Sequence, residues 1–215
     1  IQTAVDARVG LLRMLADQRS SGLLDNMAVA ERVANQAHER FPGMAVITWI
    51  DKDEILRWSF PRTPANQALI GLDARKFPTA AFTAQAVVTR QPMASRPADL
   101  MIGGRGFTMT FPIERGGKPF GRLSGVTRVA ELMDVALRKG GESTYRLSVS
   151  DEDQPLFLRN WSDSQRSYQS ESEVVVLNRR WTVKVQPRNE YVAALKTPAK
   201  TFVLVGGLFF SIGMA

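Results

Sequence analysis

Thr108 and Thr110 stand two residues apart in GFTMTFPI, residues 106–113. In a strand this spacing puts both hydroxyls on one face and Phe107, Met109 and Phe111 on the other. Hydroxyls in a row can line a pocket and hydrogen-bond a small polar molecule, although β-branched residues also simply favour strands. Arg105 lies just ahead in GGRG, residues 103–106. Glycines let a backbone approach a ligand closely, and a guanidinium can fork onto a carboxylate or phosphate. Arg57, with Trp49 and Trp58, marks a second candidate on an expected hairpin, where indoles could stack on a ring or fill a core. Arg122 and Ser124 share one face of a further strand. Two inward arginines in a chain of net charge +7 point to a small polar or anionic ligand.

Catalytic chemistry finds little support. His38 is the only histidine and cysteine is absent, which leaves no zinc set and no Ser–His–Asp arrangement. Asp51, Asp53 and Glu54 fall in a hairpin turn, where Asp is ordinary. GGRGF precedes a strand rather than a helix, so it is not a phosphate-binding glycine loop. The fragment is therefore expected to be non-catalytic and to need no cofactor or metal. Its 28 basic residues are scattered, without the clustered footprint of a nucleic-acid binder.

The elements that must position these residues are readable. Val5, Val9, Leu12 and Leu15 recur at helical spacing, with Leu11 widening the stripe. A second helix follows a cap at Asp25 or Asn26, with Met27, Val29, Val33, Ala37 and Phe41 on its apolar side. MAVITWID (44–51) and EILRWSF (54–60) read as a hairpin, 61–76 as loop, and 79–89 as a helix. Strands at 106–114 and 120–128 meet at Gly116-Gly117, a pair that accepts positive φ. A helix over 129–139 stops at Gly140-Gly141. YRLSVSD, PLFL, SEVVVL and RWTVKVQP then alternate as half-buried strands between 145 and 187. This order implies an α+β chain built on a PAS-like antiparallel sheet with helices on one face.

Thr201 to Ala215 carries no charge and reads as the start of a membrane helix. Pro198 lies ahead of it, and Lys196 and Lys200 suit the interface. The chain opens in mid-helix, which suggests a first membrane helix upstream. The expected organisation is N-terminal stalk helices at 1–40, a PAS-like ligand-sensing domain at 41–141, a strand-rich membrane-proximal subdomain at 142–190, and a membrane segment from 198. Two copies would pair through the apolar stripe of the first helix.

GFTMTFPI, FGRLSGVTRVAELMDVAL (120–137), ANQALIGLD (65–73) and ASRPADL (94–100), followed by YRLSVSDEDQPLF and RWTVKVQP, together resemble the CHASE domain. This is the extracellular sensor of bacterial histidine kinases, cyclic-di-GMP enzymes and plant cytokinin receptors. The resemblance covers most of residues 41–187. It implies a PAS-like pocket with Thr110 on its wall, Met101 at the position of a pocket leucine, and Thr79 where the cytokinin receptors carry Asp. A neutral hydroxyl cannot repeat the charge-assisted bond of a carboxylate, so the resemblance implies a pocket without implying cytokinin. It further implies a periplasmic domain of an inner-membrane receptor, with a kinase or a diguanylate cyclase as the effector. The alternative is a protein-interaction module of such a receptor, with no small-molecule pocket.

Overall fold

The computed structural model describes residues 1–137, 145–152, 154–161 and 169–188. Its first sheet is antiparallel and six-stranded, in the order β2-β1-β6-β5-β3, with β4 also pairing β5. The strands are β1 (Met44–Asp51), β2 (Leu56–Phe60), β3 (Met93–Ala94), β4 (Ala98–Asp99), β5 (Arg105–Arg115) and β6 (Lys118–Arg128). β5 and β6 form the long central hairpin. Gly116 and Gly117 close it at φ 60° and 74°, two successive left-handed residues that favour glycine.

The helices are α1 (Gln2–Ser20), α2 (Met27–Arg40), α3 (Pro64–Gln67), α4 (Ala80–Thr89) and α5 (Val129–Leu137). They cover both faces of the sheet, not one as the element order suggested. α1, α2 and α5 share a core with Ile47, Phe107, Met109, Phe111, Ile113 and Leu123. α4 lies on the opposite face, where its Thr83 meets Thr48 and Thr108. The reason is that the strands present mostly uncharged residues on both sides, so both sides need cover.

α1 packs so closely that a Cβ on Gly125 would lie 2.6 Å from the Leu12 side chain. Val5, Leu12 and Leu15 are at most 1% exposed. The apolar stripe expected to pair two copies is thus consumed within the chain, because the sheet beneath it needs a lid. Arg8 and Arg19 are buried on the same helix. Arg8 donates to the carbonyls of Ala4 and Pro42. Arg19 donates to the Leu24 carbonyl and pairs with Asp25. Burial lowers the pKa of both guanidinium groups.

Asn26 caps α2 by accepting from the N–H groups of Ala28 and Val29, one of the two caps expected. The buried face of α2 is Ala30, Ala34 and Ala37, while Met27 is exposed. Alanines let the helix lie close to its neighbours, so the larger Val29 and Val33 flank the contact rather than centre it.

The second sheet is antiparallel, in the order β8-β7-β10-β9. It consists of β7 (Tyr145–Asp151), β8 (Gln154–Arg159), β9 (Ser170–Val176) and β10 (Arg179–Pro187). Leu147, Val149, Val183 and Trp181 join the core of the first sheet, and Trp181 meets Phe107 edge-on at 4.9 Å. The Gln2 side chain exchanges two hydrogen bonds with the backbone of Val175 on β9, so α1 reaches from one sheet to the other. Among the described residues no helix is long and apolar enough to cross a membrane. The segment expected to begin a membrane helix, from 198, lies outside the described residues.

Candidate functional site

Register across β1, β6 and β5 sets three rows on the face away from α1. They are Val46–Val126–Thr108, Thr48–Ser124–Thr110 and Ile50–Arg122–Pro112. This face differs from its reverse in being rich in small and hydroxyl side chains. A cavity of about 60 Å³ lies over its centre, several times the ~10–15 Å³ that one water requires. Val46, Thr48, Ile50, Thr108, Ser124 and Val126 form its floor.

The roof comes from two segments, Leu69 to Thr83 and Asp99 to Ile102. The first is laced to β2 as an irregular extra strand: Leu56 donates to the Leu72 carbonyl (3.0 Å), Gly71 to Leu56 (2.8 Å) and Ala74 to Glu54 (2.8 Å). Asp73 holds the corner by accepting from the backbone and guanidinium of Arg75. These bonds favour its ionised form and bring its pKa to about 2. Leu69, Ile50, Leu56 and Ala74 make a small apolar cluster under this roof, with Phe77 and Ile102 against it.

The hydroxyls divide into two groups. Thr110 and Ser124 bond one another at 3.0 Å, Thr48 donates to the Ser124 carbonyl at 3.4 Å, and Thr83 donates to the Ala80 carbonyl at 3.0 Å. The hydroxyls of Thr79 and Thr108 take no partner among the described residues. Both residues are over nine-tenths buried and both line the cavity. A ligand or water in the cavity would give these hydroxyls a hydrogen-bond partner.

Thr79, Met101, Thr108 and Ser124 are thus brought together around one cavity. Thr110 sits on the same face, fully buried behind Ser124. The remaining candidates lie elsewhere. Arg122 is 1% exposed and held by Glu54. Arg57 is exposed and pairs with Asp51 at 2.5 Å. Burial acts to raise the Asp51 pKa, but the Ile55 N–H and the Arg57 guanidinium outweigh it and the net shift is downward. Arg105 is exposed beside Pro155–Leu158 of β8. Trp49 and Trp58 point to the α1 face. Trp49 stacks on Phe120 at 5.6 Å beneath Arg19, and Trp58 packs on Phe60. Among the described residues, Asp99 is the only charged one lining the cavity, and no basic residue lines it.

Thr48, Thr83, Leu69 and Phe77 belong to the site but were not singled out from the sequence. Thr48 carried a usable signal, since alternation in MAVITWID sets it with Val46 and Ile50. The roof residues carried none, because their placement depends on hydrogen bonds to β2 that span a loop.

A CHASE domain family model matches residues 11–157. No curated protein matches the chain. Solved structures with the same fold include the ligand-binding domain of the Pseudomonas aeruginosa chemoreceptor PctB in complex with L-Arg. That domain is 15% identical with a TM-score of 0.64, and the match covers 89% of this chain and 90% of that one. The ligand-binding domain of the amino acid chemoreceptor PctC from the same organism, in complex with GABA, is 20% identical with a TM-score of 0.61, covering 86% and 93%. An extracellular ligand-binding receptor from Desulfohalobium retbaense is 12% identical with a TM-score of 0.60, covering 86% of this chain. The chain spans 39% of that receptor's length.

Proposed function

The chain belongs to the CHASE domain family, and from that premise we propose that it is the extracytoplasmic ligand-sensing domain of a bacterial transmembrane receptor. The observation that carries this reading is the cavity between the first sheet and its roof, lined by the hydroxyl-bearing Thr79 and Thr108. The ligand is a compact, largely apolar molecule with one or two hydrogen-bonding groups. A carboxylate or phosphate meets no cation in the lining among the described residues, since Arg122 is held by Glu54 and Arg105 lies outside. Of the small polar or anionic ligands expected from the sequence, an uncharged one therefore fits this lining better than an anionic one. Amino acids, which the PctB and PctC domains accommodate, belong in the first panel of compounds because the fold is shared.

In this reading the domain lies in the periplasm of an inner-membrane receptor, is itself non-catalytic, and acts on a kinase or cyclase elsewhere in the protein. The second sheet, residues 145–187, is the membrane-proximal part. Two copies that pair through α1 use its outward face around Ala7, Gly10 and Met14, since the apolar stripe is already covered. A ligand that binds only the folded state raises stability by RT ln(1 + L/Kd), where L is the free ligand concentration. Thermal-shift screening of amino acids, organic acids, nucleobases, polyols and sugar phosphates tests the reading. The expected result is a concentration-dependent rise in Tm with one chemical class, lost in Thr108→Val. A rise that survives Thr108→Val unchanged places the ligand elsewhere.

A second reading draws on Ile70, Leu72 and Met101, large apolar side chains exposed on the roof segments. A periplasmic protein partner covering that roof would use them. It is favoured if no compound class shifts Tm.

A further inference from the structure

Three consecutive residues, Ala94 at the end of β3 and Ser95 and Arg96 just after it, face two ways. Ser95 exchanges hydrogen bonds with Thr108 on the cavity floor: its N–H donates to the Thr108 carbonyl (2.8 Å), and its hydroxyl oxygen accepts from the Thr108 N–H (3.0 Å). The residues on either side are tied to the second sheet. Ala94 donates its N–H to the Asn178 side-chain oxygen at 2.6 Å, in the turn between β9 and β10. Arg96 pairs with Glu152 at 2.9 Å, beside the turn between β7 and β8. Glu152 also binds Arg179 at 3.0 Å. Arg179 in turn donates through Nε to both oxygens of buried Asp151, at 2.9 and 2.7 Å. Burial opposes the charge on Arg179, but its bonds to Asp151 outweigh this and raise its pKa. Two turns at one end of the second sheet therefore clasp residues 94–96.

The same stretch runs on into Ala98–Asp99, which pairs with β5, and then into the Asp99–Ile102 part of the cavity roof. We propose that residues 94–96 couple the cavity to the second sheet, so that a displacement of Thr108 or of the Asp99–Ile102 roof moves the β7–β8 and β9–β10 turns. Ser95, Asn178 and Glu152 act as positioning residues in this coupling. The buried Asp151–Arg179 pair keeps the receiving turns rigid, since a paired and hydrogen-bonded charge in a buried site holds one geometry. Phe107, next to Thr108, meets Trp181 on β10 and gives the coupling an apolar contact on the reverse side. Coupling of this kind is reciprocal: loosening the second-sheet turns must loosen the cavity floor, and the converse. Reciprocity makes the proposal testable without a ligand.

The experiment is amide hydrogen exchange on the whole chain for wild type, Asn178→Ala, Ser95→Ala and Glu152→Gln. Loss of one hydrogen bond at a clasp is expected to speed local opening about five- to ten-fold. Asn178→Ala should do so at Ser95, Thr108 and Leu100–Ile102, and Ser95→Ala at Val176, Arg180 and Trp181. Amides of the β1–β2 hairpin should keep their wild-type rates. If each substitution accelerates exchange only on its own sheet, the coupling is refuted. If either alanine variant loosens the whole chain, the control hairpin included, Glu152→Gln decides. That side chain is 58% exposed, so its replacement leaves the packing intact, and it must still accelerate the Ser95 and Thr108 amides above the hairpin. A rate equal to wild type there refutes the proposal. The readout uses no ligand, so a failed compound screen would count against the sensor reading and leave this coupling standing.

Discussion

The two faces of β5 are made by alternate residues of one strand, yet they behave as different materials. Phe107, Met109, Phe111 and Ile113 are each at most 2% exposed and interlock with α1 and α5. Thr108 and Thr110 are also buried, at 5% and 0% exposed, but Thr108 looks onto open space. One face is filled by the chain itself, and the other is enclosed without being filled. Burial alone therefore does not separate core from site. The chemistry of the side chains and the packing opposite them do.

The widest gap between the faces should appear on truncation. Phe107→Ala is expected to cost about 3–5 kcal/mol in urea or guanidinium unfolding, because it also removes the partner of Trp181. Thr108→Val, one residue along, should change stability by no more than about 0.5 kcal/mol while removing the ligand-dependent rise in Tm. Comparable losses at both positions would mean that the cavity face is ordinary core. Gly125→Ala comes next. Its new methyl meets Leu12 at 2.6 Å, and overpacking of this kind costs about 1–3 kcal/mol. If the variant unfolds like wild type, α1 is less tightly seated than the packing implies.

Thr110→Val sharpens the contrast within the cavity face. It removes the partner of the Ser124 hydroxyl, and about 1–2 kcal/mol should be lost, more than at Thr108, whose hydroxyl has no partner to lose. The smallest effect concerns the roof. Asp73 titrates at about 2 in the folded chain, below the ~3.9 of an unfolded Asp. Its contribution is therefore complete above about pH 4 and fades as the pH falls towards 2. Asp73→Asn should show a shallower loss of stability than wild type across that acid window, read by fluorescence-monitored denaturation. Identical acid profiles would mean that the Arg75 fork contributes nothing to holding the roof.

Much of this was legible in the chain. Alternation through GFTMTFPI placed Thr108 and Thr110 on one face, and both central hairpins, the Asn26 cap and the four strands of the second sheet followed from local pattern. The candidate arginines could not be placed from the sequence, because residue type alone does not reveal a partner. Glu54, which holds Arg122, lies 68 residues away in sequence, and Arg105 turns towards β8 rather than the cavity. The stripe on α1 was read correctly as apolar, but amphipathicity does not say whether a second copy or the chain's own sheet covers it. Register across β1, β6 and β5 brought Thr48 beside Ser124, and it is a long-range property that no local window contains.

The space over Val46, Thr108, Ser124 and Val126 is the ligand site we propose. Calorimetric titration of the strongest compound from the screen tests it most directly, on wild type, on Val126→Phe, which fills the cavity, and on Val88→Ser, a control at a position 82% exposed. The expected result is equal affinity for wild type and Val88→Ser, with no measurable heat for a Val126→Phe protein that still melts cooperatively. Binding to Val126→Phe with the wild-type Kd would contradict the account and move the site off this face of the sheet.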